Sequence, residues 1–186
     1  LYDLRNTAQY IIASPTEVMG DGFPYADITP LFFQKTLNLQ GISQAFVDSY
    51  RYSSSVQSAS VALINTSELE QLAIAVRNLH ETFPDPTVDL DEVQPFESLT
   101  RHVFYDMEDY FKQFAEGSSQ CEAFQSQLAK TVVFSDCTDW IYSAYGAMFQ
   151  CVNYCGISTY VPQDVFPVYG AAYAETAWAK AIGMSN

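Results

Sequence analysis

Basic residues are scarce: 8 Lys and Arg stand against 22 Asp and Glu, a formal net charge of −14. Nucleic-acid phosphates are held by clustered cations, so this balance excludes a nucleic-acid partner. The acidic surface serves solubility and also favours cationic ligands. No stretch approaches the roughly 18 consecutive apolar residues that a membrane-spanning helix needs. There is no CxxC pair, the commonest half of a zinc site. The acidic run PDPTVDLDEVQP at 84–95 lacks the glycine and the ligand spacing of an EF-hand loop and reads as a solvated acidic loop. Internal repeats and low-complexity tracts are missing too, which excludes solenoids and disordered tails.

What is abundant is material for a core. Hydrophobic residues make up 48% of the 186, with 13 Tyr and 13 Phe, enough for one ordinary domain or one core with a small appendage. Tyr10 to Ala13 is a short apolar run that reads as a buried strand. Helical spacing is predicted over 30–38, with a cap at Thr29, and over Ile42 to Tyr50. Ser60 to Ile64 is a second buried strand, and Ser67 with Glu70 forms a capping-box pattern ahead of Leu69, Leu72, Ala73, Val76 and His80. Strand, helix and strand in alternation predict a mostly parallel sheet with helical layers. Beyond the proline-rich acidic run, helices are predicted over 98–115 and 119–129, the second opened by Ser119 and Glu122. Strands follow at 131–134, 148–153 and 157–161, and a closing helix carrying Trp178 spans 173–182. Phe104, Met107, Phe111 and Phe114 form a stripe that reads as a core face.

Four cysteines, Cys121, Cys137, Cys151 and Cys155, are compatible with one or two disulfides in an exported protein. Cys137 and Cys151 flank a hairpin predicted near Ala144 to Gly146, which would set them on facing strands. The alternatives are free buried thiols, or zinc held by Cys137, Cys151 and Cys155.

Pro15, Gly20, Gly22 and Pro24 break the chain after the first strand, so a loop carrying Glu17 and Asp21 leaves the strand end. Crevices outside the carboxyl ends of strands are where open α/β sheets bind ligands. Taken alone, Asp21 in Gly-Asp-Gly is a turn aspartate. The stretch YIIASPTEVMGDGFPY at 10–25, however, resembles the segment just downstream of the nucleophile in clostripain-like cysteine peptidases. LYDL at 1–4, VALINTSELEQLAIAV at 61–76, DMEDYFKQF at 106–114, KTVVF at 130–134, CGISTYVPQ at 155–163 and AETAWAKAIG at 174–183 follow in the family's order.

That resemblance implies an αβα sandwich similar to the caspases and gingipains, with a mixed, mostly parallel sheet and a small α+β C-terminal subdomain. Residues 1–83 would then be the C-terminal part of the catalytic core, 84–97 a linker, and 98–186 a subdomain whose last strand and helix return to the core. It implies a cysteine endopeptidase cleaving after Arg or Lys, acting on proteins or peptides with basic residues. The family's His-Gly and Asp-Ala-Cys motifs do not occur here. The dyad is therefore expected upstream of Leu1, in another half of the same polypeptide, and this chain alone is expected to be inactive. An inactive binding or assembly module of the same fold is the alternative. Asp21 aligns with an acidic residue of the family's specificity pocket, where a carboxylate would pair with Arg or Lys. Neither His80 nor His102 has the loop or neighbouring cysteine of a catalytic base, and Cys155 falls on a structural strand of the family. No cofactor is expected, with calcium left open by the resemblance. Export to the extracellular space or cell envelope, by a signal upstream, is implied as well.

Overall fold

In the computed structural model, residues 1–53, 56–97, 102–143, 148–164 and 167–184 are described, Ser53 by its backbone alone. Seven strands and seven α-helices are found among them: β1 Tyr10–Ala13, α1 Tyr25–Phe32, α2 Leu39–Ser53, β2 Ser60–Asn65, α3 Leu69–Thr82, β3 Phe104–Asp106, α4 Met107–Ala115, α5 Ser119–Thr131, β4 Val132–Cys137, β5 Trp140–Tyr142, β6 Met148–Gln150, β7 Ser158–Tyr160, α6 Pro167–Ala174 and α7 Ala177–Ala181.

The main sheet has the order β1-β2-β4, and the central strand β2 is covered on both faces. Val61 packs with Phe46, Val47 and Tyr50 of α2. Ala62 and Ile64 point the other way, into a larger core built from α3, α4 and α5 and closed by Ile182. Successive side chains of a strand alternate faces, so one apolar run feeds two cores and produces an α/β/α sandwich. Gly156 lies against this sheet with φ +89°, where a Cβ would stand 2.8 Å from that of Ala62 and 3.0 Å from that of Ser135. Only glycine combines that dihedral with that approach.

The described pairings depart from the mostly parallel order expected from the alternation of strands and helices. β1 with β2, β2 with β4, β3 with β7 and β5 with β6 all run antiparallel. A continuous apolar strand reports burial on both faces, and direction is set by the connections instead. Several boundaries also move. The first helix begins at Tyr25 and carries Pro30 inside it, in place of a start after Thr29. Asn65, rather than Ser67, opens the turn before α3 by accepting from Ser67 N–H. Ser118 caps α5 through Cys121 N–H, one residue before the expected cap. Within the helix expected over 98–115, residues 104–106 form β3 and Asp106 caps α4; Ser98 to Arg101 lie outside the described residues. The closing helix is two, α6 and α7, with Thr176 capping the second.

The carboxylates of the acidic segment, Asp85, Asp89, Asp91 and Glu92, are exposed as a solvated loop requires, while its end is anchored: Val93 is buried, and Pro95 bridges to Tyr105 beside the two-stranded β3–β7 sheet. A disulfide joins Cys137 to Cys151 at the base of the β5–β6 hairpin, whose tip at 144–147 lies outside the described residues. That bond removes two of the three thiolates a zinc site would need. Cys121 and Cys155 are free and buried.

Candidate active site

The loop from Ser14 to Pro24 is tied down at both ends. Near β1, Ser14, Thr16 and Ser60 join their hydroxyls, with Oγ to Oγ 2.7 Å for Ser14 and Ser60 and 2.7 Å for Thr16 and Ser60. Thr16 and Ser60 are buried, so the bonds satisfy groups that water cannot reach. At the other end Phe23 stacks on Phe46 of α2 with centroids 4.2 Å apart. The Tyr50 hydroxyl donates to the Gly22 carbonyl at 2.7 Å.

Between these anchors the Gly22 N–H donates to Met19 O at 2.8 Å, and Gly22 takes φ +68°. The resulting turn displays Asp21 to solvent. Burial pushes the Tyr50 phenol up, and the Asp21 charge adds to that shift. The carboxylate is thus held on a braced turn, near enough to Tyr50 to be felt. Ser14, Thr16, Phe23, Phe46, Tyr50 and Ser60 were not singled out from the sequence as loop anchors. Hydroxyls and rings more than 20 positions apart carry no local signature of their pairing.

A cavity of about 460 Å³ opens on the other side of the same loop, walled by Tyr2, Ser14, Ile64, Met107, Tyr173 and Trp178 among others. Its walls are mainly apolar, with the Asp3 carboxylate among them, and do not include Asp21. Tyr2 is held there by its hydroxyl bond to Glu70 at 2.6 Å and by Arg5, 3.9 Å above its ring.

The histidines and cysteines do not assemble into a nucleophile and base. His80 Nδ1 lies 3.3 Å from Ile182 O, its ring packs on Phe111, and burial lowers its pKa. His102 faces Glu97 at 3.7 Å, and burial raises the Glu97 carboxyl. The Cys155 thiol donates to Ile157 O at 3.2 Å; burial, reinforced by the nearby Asp106 charge, pushes it well above the ordinary range. A thiol so held is a poor nucleophile. Burial likewise raises Cys121.

One buried carboxylate was missed as such from the sequence. Asp106 accepts from Asp109 N–H at 3.0 Å and from Cys155 N–H at 2.6 Å, and burial raises it to about 6. Its only local signature is the position of a helix N-cap. The acidic segment at 84–95 does not form a calcium cage. Asp89 spends its side chain on Asp91 N–H, and among the described residues no three His, Cys, Asp or Glu converge as metal ligands.

The clostripain family model matches residues 1–182. An inactive zymogen C11 protease from Parabacteroides distasonis superposes with a TM-score of 0.85 at 31% identity, covering 97% of this chain and 54% of that one. A cysteine protease from B. fragilis matches with a TM-score of 0.90 at 27% identity, over 100% of this chain and 83% of that one. A clostripain from Bacteroides thetaiotaomicron, solved with the peptide inhibitor BTN-VLTK-AOMK, matches with a TM-score of 0.85 at 26% identity, over 97% and 79%. The chain thus spans about half the length of the Parabacteroides relative. No curated protein matches it.

Proposed function

Because the chain belongs to the clostripain family of cysteine proteases, we propose that it is the specificity-bearing part of an endopeptidase that cleaves proteins or peptides after Arg or Lys. Asp21 is the carboxylate that receives the basic side chain. The observation that carries this reading is the braced Gly20-Asp21-Gly22 turn, which offers an unburied carboxylate on a loop that does not have to fold around its ligand. Preorganisation of this kind lowers the cost of binding. The K in the inhibitor bound to the B. thetaiotaomicron clostripain agrees with a basic preference.

The thiolate and imidazole are supplied from outside these 186 residues, by an upstream half of the same polypeptide. Each histidine and cysteine here has another role: core packing for His80, Cys121 and Cys155, the Glu97 contact for His102, and the disulfide for Cys137 and Cys151. Extracellular or cell-envelope localisation accords with that disulfide. Among the described residues no helix is long and apolar enough to cross a membrane.

The direct test is cleavage of Arg and Lys reporter peptides by the chain joined to its upstream half, as native protein and as Asp21→Asn. Loss confined to the variant supports the reading; unchanged Arg and Lys cleavage by a folded variant sinks it. The same accounting of histidines and cysteines also favours a second reading, an inactive binding module. An upstream half without a cysteine and histidine at the dyad positions would select it.

A further inference from the structure

The chain has 8 Lys and Arg, and the fold shields nearly every bond that follows one. Arg51 is ion-paired to Asp48 and Asp136, Lys112 to Glu108 and Lys180 to Glu175, each from within a helix. Arg5 stands over the Tyr2 ring, and Arg77 donates to Ala181 O. Lys130 is exposed but sits in the last turn of α5, with Thr131 buried beside it. Arg101 lies outside the described residues. Lys35 is different. It stands between α1 and α2 in a run, 32–38, that is exposed at every position. Among the described residues, 34–37 are held by no hydrogen bond or ion pair. Open backbone of this kind is where proteases nick folded chains.

We propose that the Lys35–Thr36 peptide bond is a self-cleavage site, cut in one molecule by another copy of the assembled enzyme, and that the cut weakens the binding of basic substrates. This rests on the basic specificity proposed above. Hydrolysis adds the oxygen of water to the Lys35 carbonyl carbon, breaks its bond to the Thr36 nitrogen and moves both protons to that nitrogen, leaving a carboxylate and an ammonium. Geometry makes the cut intermolecular. An extended substrate occupies residues on both sides of the bond, and presenting 33–38 to a second copy disturbs at most the last turn of α1. Bringing Lys35 back to Asp21 of its own chain would melt that whole helix, which is about 12 Å long and lies between them.

The nick leaves the molecule assembled, because β1 stays paired with β2 while Tyr2 and Ile28 stay buried. The Cys137–Cys151 bond lies wholly beyond the cut, so no disulfide joins the two pieces. What is lost is the tether from α1 to α2. Ile28 is the only buried residue of α1, which leaves that helix weakly held once its far end is free. The Asp21 loop runs into the same helix, so ordering it around a ligand then costs entropy that the intact chain does not lose.

The test uses the chain joined to its upstream half, both as native enzyme and as a substrate form whose upstream dyad cysteine is replaced by alanine. Native enzyme should nick the substrate form at a rate proportional to the amount added, giving pieces that separate only on denaturation and a new amino terminus reading Thr36-Leu37-Asn38. Limiting trypsin should make the same cut first, and Lys35→Gln should abolish both. The nicked enzyme should show KM for an Arg reporter raised roughly three- to tenfold with kcat unchanged, while Lys35→Gln enzyme keeps the lower KM. A first cut elsewhere, such as one exposing His102, or an intact Lys35–Thr36 bond beside active enzyme, overturns the self-cleavage and leaves the Asp21 reading standing. An unchanged KM after the cut overturns the weakening. Trypsin cutting after Lys35, with no turnover of Arg or Lys reporters by the native enzyme, overturns the basic specificity and the self-cleavage with it.

Discussion

Single residues carry three separate kinds of physics here. Asp21 is electrostatic. Asp21→Asn keeps the shape of the turn but removes a charged hydrogen bond, and kcat/KM for Arg substrates of the assembled enzyme should fall roughly 10- to 150-fold. Gly156 is steric. Gly156→Ala puts a methyl against Ala62 and Ser135 at a dihedral L residues avoid, and urea denaturation should show a loss of about 2–4 kcal/mol. Asp106 is a matter of proton linkage. Its folded pKa of about 6 lies above the ordinary 3.8, so between those values the folded chain holds a proton the unfolded chain has released. Stability therefore falls as pH rises through that window, by about 3 kcal/mol from this group. Denaturation curves from pH 4 to 7 should show that slope in the native chain and a shallower one in Asp106→Asn.

Elements were legible where their signal is local. Strands β1 and β2 and helix α2 fall close to where apolar periodicity places them, since burial of a face is written directly into residue spacing. Caps were harder. Ser118 and Asn65 are each adjacent or near to another residue able to cap, and which one takes the position depends on how the preceding chain enters the helix. The α6–α7 break at Thr176 was hidden because the apolar spacing continues through it. The β5–β6 hairpin depends on a covalent tie as well as pairing. Removing the Cys137–Cys151 bond, which closes a loop of 14 residues, by the double Ala variant should cost roughly 3 kcal/mol in chain entropy. Thermal melts of the native and double-variant chains check it.

At the scale of the whole molecule, the proposal that an upstream half supplies the dyad gives a direct expectation. Purified by itself, the chain should not turn over an Arg or Lys peptide reporter, and turnover abolished by Cys155→Ala would show that the nucleophile has been misplaced. Strand β1 pairs with β2 on one side and has no other partner among the described residues. Its free edge, with Tyr10 exposed, should draw the chain into dimers or larger species. Light scattering should give a mass above the 20.8 kDa of one copy, and a stable monomer would count against an open edge.

The amino-acid order by itself determined the family, the α/β class, the apolar faces and the Asp21 loop, because motif order, periodicity and Gly-Pro breaks are properties of neighbouring residues. Strand direction, the Ser14–Thr16–Ser60 hydroxyl cluster and the buried Asp106 carboxylate were decided only by tertiary structure. Each joins or separates groups far apart in the chain, and burial, which sets their energies, exists only once the layers have closed.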